Sequence, residues 1–114
     1  MGSPVVHFEI MGSDAAKTQA FYSSLFGWRI DADNEWNYGL VPKEDDGIGG
    51  GIGANPMSSK YVTVYVQVPD PQATLDKAVE LGGTVVMPVT EMAMVTMALF
   101  TDPDGNIMGI VKAA

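Results

Sequence analysis

An α+β fold is what this sequence predicts, built from two βαβββ modules that form an open, cupped eight-stranded sheet with one helix per module. Two observations carry that prediction. The first is internal repetition. His7 falls on Thr63, Asp14 on Asp70 and Gly27 on Gly83 at a constant offset of 56 positions. Asp46-Gly47 falls on Asp104-Gly105, and Gly51 on Gly109, at an offset of 58. Self-similarity at a fixed spacing marks a structural repeat, and two copies point to a pseudo-symmetric domain, not a solenoid. The second observation is the order of local patterns inside each copy: a period-two stretch, a capped helix, then short strand signals. The 114 residues are therefore expected to form one domain, 1–114, with internal modules at about 4–55 and 60–113.

Residues 5–10 alternate as a strand does, with His7 and Glu9 on one face and Val6, Phe8 and Ile10 on the other. Ser13 or Asp14 supplies a side-chain oxygen to the free amides of a helix start. The helix is expected over 15–26, with Phe21 and Leu25 stacked at i,i+4 beside Ala16 and Ala20 as its apolar stripe. Gly27 ends it, because glycine adopts the left-handed conformation at little cost. Strand signals follow at 29–32, 36–41 and 48–53, with a turn at Asp45-Asp46-Gly47. Residues 54–60 read as a connector between the copies. The second copy opens at 61–68, rich in β-branched and aromatic residues, with Thr63, Tyr65 and Gln67 on one face. Asp70 caps a helix that has Pro71 at its first position, where a missing N–H costs nothing. Leu75, Ala78, Val79 and Leu81 form its stripe, and Gly82-Gly83 stop it. Strands are expected at 84–87, 95–101 and 107–112, the last preceded by the Asp102-Pro103-Asp104-Gly105 turn.

Hydrophobic residues make up 46% and charged residues 18%, the balance of a globular chain and not of a disordered one. Fourteen acidic against six basic residues give a net charge of −8. Nucleic acid and anionic membrane surfaces are repelled by such a chain, so neither is expected as a partner. A small-molecule ligand is expected to be neutral or cationic, not polyanionic. Without cysteine there is no disulfide, thiolate–zinc or thiol chemistry. The start of the chain lacks the basic and apolar regions of a signal peptide, and a cytoplasmic location is the expectation.

Several strings resemble the vicinal oxygen chelate superfamily, also called the glyoxalase/bleomycin-resistance/dioxygenase family. They are Val5 to Ile10, Phe21-Tyr22 through Phe26-Gly27-Trp28, Ala78 through Leu81-Gly82-Gly83, and Asp102-Pro103-Asp104-Gly105-Asn106. The resemblance runs from about Pro4 to Val111. It implies a divalent metal held in the cup by His or carboxylate side chains from the first and last strands of each module. Carried onto this chain, those positions are His7, Gly51, Thr63 and Gly109. Only His7 is a competent ligand, since glycine has no side chain and threonine is a poor donor. A divalent site needs several converging donors, so no metal and no other cofactor is expected. A homodimer is expected on family grounds and because an open sheet leaves unpaired edges.

Without a metal, the site is expected to act through shape and a few polar groups. His7 and Glu9, two apart on one strand face, form the candidate acid/base pair. Met11, Trp36, Tyr38, Gly51, Thr63, Tyr65, Gln67, Met94 and Gly109 are the candidate ligand-binding residues, with Gly51 and Gly109 expected to widen the pocket. Two functions stay open. One is metal-independent binding of a small, largely apolar or aromatic molecule. The other is an enzyme of the same family (lyase, isomerase or dioxygenase type), metal-dependent or using His7 with Glu9 for proton transfer. The glycine-rich run Gly47–Gly53 is no phosphate loop, because no helix follows it.

Overall fold

Both helices begin where an aspartate precedes the helical run. In the computed structural model, which describes residues 2–55, 60–92 and 94–113, Asp14 accepts a hydrogen bond from the Lys17 amide at 3.1 Å and opens α1 (Ala15–Phe26). Asp70 accepts from the Ala73 amide at 3.1 Å and opens α2 (Pro71–Glu80), with proline at its first position. Gly27, at φ 71°, closes α1 and donates its N–H to the Ser23 carbonyl. The chain divides into two compact units, His7–Val62 and Thr63–Ala114 together with Met1–Val6. Most of the connector read at 54–60 lies outside the described residues.

In the His7–Val62 unit, β1 (Val5–Gly12, whose first two residues belong to the other unit) runs parallel to β3 (Gly49–Ala54). A short β2 (Gly39–Val41) pairs antiparallel with the far edge of β3. Helix α1 packs on β3. Its buried residues are Ala15 and Gln19, not the expected Phe21 and Leu25, which are each 58% exposed. At 100° per residue, Phe21 lies about 200° around the helix from Gln19, so one set excludes the other. Gln19 is turned inward by what it meets. Its Nε2 donates to the Asn37 and Ile52 carbonyls at 2.9 and 2.7 Å. A glycine-rich strand offers backbone acceptors and little side-chain surface, and the amide satisfies groups that are costly to bury unpaired.

The other unit repeats this plan. There β4 (Tyr61–Val68, of which the unit holds residues 63–68) runs parallel to β7 (Ile107–Lys112), and β6 (Thr96–Thr101) pairs antiparallel with β7. A further strand, β5 (Thr84–Glu91), lies outside β6, with register shifts on either side of Met87. Pro88, which has no amide to donate, sits on this edge strand, where a missing donor is tolerated. Val68, Leu75, Ala98 and Ile110 form the core, with Val66, Val89 and Phe100 packed on it. Leu75 anchors α2 as expected, whereas Val79 and Leu81 are largely exposed.

Seven named strands are present among the described residues, where eight were expected. The counterpart of β5 in the first copy, expected at 29–32, is reduced to one bridge between Asp31 and Leu40. Asp31 turns its carboxylate to the Asp33 amide at 3.0 Å, and Asn34 accepts from the Trp36 and Tyr38 amides at 3.2 and 2.9 Å. These side-chain turns compete with the ladder and end the strand. The same turns remove residues 36–38 from the strand expected at 36–41.

Gly109 is directly opposite Tyr65, and the Tyr65 ring occupies the space where a Cβ at 109 would stand. Gly109→Ala is therefore expected to destabilise by ~1–3 kcal/mol through overpacking. In a Tyr65→Ala background the same change should cost little, a coupling that a double-mutant cycle in denaturant measures.

Candidate functional site

Tyr38 joins the two residues of the candidate acid/base pair. Its hydroxyl lies 3.0 Å from His7 Nε2 and donates to Glu9 Oε2 at 2.8 Å. Tyr61 donates to the other carboxylate oxygen, Oε1, at 3.0 Å. Four side chains from β1, β4 and the loop before β2 thus form one chain of hydrogen bonds within the His7–Val62 unit. Asn34 holds Tyr38 at the backbone, accepting from its amide and donating to its carbonyl at 2.7 Å.

The direction of these bonds assigns protons. The Tyr38 hydroxyl has one proton and gives it to Glu9, so at His7 it is Nε2 that donates. That makes His7 the Nε2–H tautomer of a neutral imidazole, an assignment resting on the network. Burial lowers the His7 pKa below its ordinary value of 6.5, and the Glu9 charge opposes this only in part. Tyr61 is pushed well above the usual phenol range, first by burial, then by the Glu9 charge and its hydrogen bond. It keeps its proton throughout the physiological range.

Tyr38 also explains a glycine. A Cβ on Gly51 would collide with the outer end of the Tyr38 ring, and one on Gly53 would crowd its inner edge at 2.9 Å. Gly51 does not widen a pocket; it makes room for a tyrosine. Gly109 does the same for Tyr65 in the other unit. Phe8 lies on Gly50 in this manner too, ring against bare backbone. Of the four positions the family uses for metal, His7 thus bonds Tyr38, Gly51 lies under that ring and Gly109 lies under Tyr65. Thr63 donates Oγ1 to the Ile107 carbonyl at 2.6 Å. Among the described residues no three His, Asp or Glu side chains come together as a metal cluster. This donor set does not fit a divalent cation.

The remaining candidates separate. Met11 reaches Gly53, where its Sδ is 3.4 Å from a notional Cβ. Tyr65 is buried with its ring on Gly109, and Gln67 is half-buried. Trp36 sits in a turn at 76% exposure and Met94 at 94%, so neither encloses anything within its own unit. Tyr61 went unread in the sequence, although it shares strand parity with Thr63 and Tyr65, and that parity was the available signal.

His7 also forms one wall of a cavity of about 600 Å³. Ile30, Leu40, Val41 and Pro42 give it apolar sides, Arg29 and Asp31 add charge, and Gly49 and Gly50 leave bare backbone. The volume lies within the range of small-molecule sites.

Residues 7–111 match the family model described as a glyoxalase-like domain. The chain belongs to that family. The resemblance to the vicinal oxygen chelate superfamily therefore holds. "Putative glyoxylase CFP32" of Mycobacterium tuberculosis (strain CDC 1551 / Oshkosh) is 28% identical over 115 residues, covering 92% of this chain and 44% of the relative. The chain thus spans less than half the length of the curated relatives it matches. A glyoxalase/bleomycin resistance protein/dioxygenase superfamily member from Vibrio splendidus 12B01 has a similar fold, with TM-score 0.64 and 17% identity over 98% of this chain and 100% of that one. A variant of Streptomyces coelicolor methylmalonyl-CoA epimerase, in complex with 2-nitronate-propionyl-CoA, gives TM-score 0.62 and 15% identity, covering 98% of each chain.

His7 is the single histidine of the chain, so one imidazole resonance reports the network. Its NMR titration midpoint is expected below 6.5, and lower still in Glu9→Gln, where the opposing charge is gone. Between the two midpoints the unfolded chain binds more protons than the folded one. Stability is therefore expected to fall as pH drops from 6.5 through the folded value, and His7→Gln should remove that part of the slope.

Proposed function

We propose that this chain binds a small, largely apolar molecule without a resident metal, in the cavity against His7. The observation that carries this reading is the Tyr38 ring on Gly51. It fills the place of a metal-ligating side chain and ties His7 into a hydrogen-bonded network instead. The cavity supports the reading by its composition. Ile30, Leu40, Val41 and Pro42 offer apolar surface to a flat molecule, and Gly49 and Gly50 let it approach the strand closely. Few polar groups converge there, which is the usual balance of a binding pocket. The epimerase structure holds a CoA compound, which supports a small-molecule role for the fold and leaves the ligand class of this chain to its own residues.

A second reading rests on the hydrogen-bonded network. A neutral imidazole can take a proton, and the Glu9 charge favours the imidazolium that forms. Proton abstraction from a bound molecule is chemistry this arrangement supports.

Emission spectroscopy and native mass spectrometry on tag-free protein test the first reading. The expected result is no stoichiometric divalent metal and a melting temperature unmoved by manganese, nickel or zinc. A stoichiometric metal whose addition broadens or shifts the His7 resonances overturns it. A panel of small aromatic compounds should shift the His7 ring and the Gly49 and Gly50 amides together. If a bound compound is recovered chemically altered, and His7→Gln stops that change while binding persists, the second reading replaces the first.

A further inference from the structure

Four of the eight methionines fall in one hairpin: Met87 on β5, Met97 on β6, and Met92 and Met94 where the two strands join. The register places three of them on one face. Thr90 stands opposite Met97, and Met87 opposite Leu99. Met92, one residue beyond β5, donates its amide to the Val95 carbonyl at 2.8 Å. Met92 is therefore a diagonal neighbour of Met97, at a separation of about 7–8 Å that long side chains bridge. The opposite face of the hairpin, with Val89, Ala98 and Phe100, belongs to the core. Met97 is half-buried, whereas Met92 is 50% and Met94 94% exposed. At such exposure the last two fill no core, and their thioethers are open to a ligand.

We propose that Met92, Met94 and Met97 bind a soft monovalent cation of the Cu(I) class at the tip of this hairpin. Thioether sulfur is polarizable and uncharged, and it favours Cu(I) over harder cations. Calcium, magnesium and manganese need oxygen donors, which three sulfurs do not supply. Zinc takes thiolate or imidazole; the chain has no cysteine, and its one histidine, His7, belongs to the other unit. An anion meets a chain of net charge −8, the same charge that draws a cation in. Met94 lies in the bend between the strands, so its unbranched side chain can close on an ion held by the other two. The site shares no residue with the His7 cavity.

Silver(I), a soft monovalent ion without the redox chemistry of copper, is the probe. It is titrated into tag-free protein with methyl-labelled methionine, in buffer free of chloride. The Met92, Met94 and Met97 methyl resonances should shift together and saturate, while those of Met11 and Met108 stay in place. Met92→Leu and Met94→Leu, at exposed positions, should each weaken silver by about tenfold or more. Met97→Leu, a volume-conserving exchange, should do the same with the Met108 resonance unchanged. Thioethers do not titrate, so binding should persist from about pH 7 to 5, where an imidazole site protonates. Cu(I) kept reduced by ascorbate should move the same three methyls. Shifts shared evenly with Met11 and Met108 overturn the proposal. So does a triple leucine variant that binds silver as the parent does, or zinc acting on these methyls at the same concentration. A response at the His7 ring with the three methyls unmoved also overturns it. The His7 cavity is tested with aromatic compounds and divalent metals, so the two readings fail separately.

Discussion

The site depends on the absence of two atoms, the Cβ atoms of Gly51 and Gly53. Without them the Tyr38 ring lies flat on β3, and its hydroxyl reaches His7 and Glu9 at once. A carboxylate or imidazole at position 51 and a tyrosine ring in this place exclude each other sterically. Position 51 therefore chooses between two chemistries. One has a side chain available to a metal; the other has a hydroxyl that fixes the tautomer of a histidine. The loop that delivers Tyr38 is shaped to the same end. Asn34 takes both the amide and the carbonyl of Tyr38, and Asn37 accepts the left-handed conformation at φ 53° that turns the chain into β2.

Glu9 shows what this arrangement costs the fold. It is buried, and removing a carboxylate from water costs several kcal/mol even after relaxation. Two hydroxyl donors return roughly 1.5–3 kcal/mol each, so the placement is close to neutral for stability. Its effect is on protons. Glu9 fixes which way Tyr38 donates, and that fixes which nitrogen of His7 carries hydrogen. Removing either tyrosine hydroxyl would leave a carboxylate oxygen short of a donor the fold provides.

Much of the fold was legible in the residues, for local reasons. Asp14, Gly27, Asp70 and Pro71 mark helix ends by chemistry that acts within a few residues, and the bounds of α1 and the start of α2 follow from it. The paired offsets exposed the repeat. Three features were not legible: two depend on partners distant in sequence, and one on side-chain turn bonds that compete locally with a strand. The buried face of α1 is set by carbonyls at Asn37 and Ile52 that attract Gln19, which overrides the apolar spacing of Phe21 and Leu25. The lost strand at 29–32 yields to turn bonds from Asp31 and Asn34. Gly51 read as empty space because nothing in the string Gly49–Gly53 names the ring that fills it. His7 and Glu9 were legible as a pair by strand parity, but their connection through Tyr38 crosses 31 and 29 positions of chain.

The repeat makes the asymmetry of its copies informative. Gly51 and Gly109 are matched positions, and each lies under a tyrosine, yet the tyrosines come from different places. Gly109 is covered by Tyr65, its own cross-strand partner, and the position matched to Tyr65 in the first copy is Glu9. The second copy thus solves the packing problem with the residue already opposite the glycine, and that residue is a phenol with its ring laid on backbone. Its Thr63 hydroxyl, matched to His7, is committed to a backbone carbonyl. In the first copy the ring arrives from a loop instead, which leaves the strand position open for a carboxylate. Borrowing the ring is what allows an acid, a base and a phenol to stand within hydrogen-bonding distance on a strand pair whose sister copy places a threonine and a tyrosine at the matched positions.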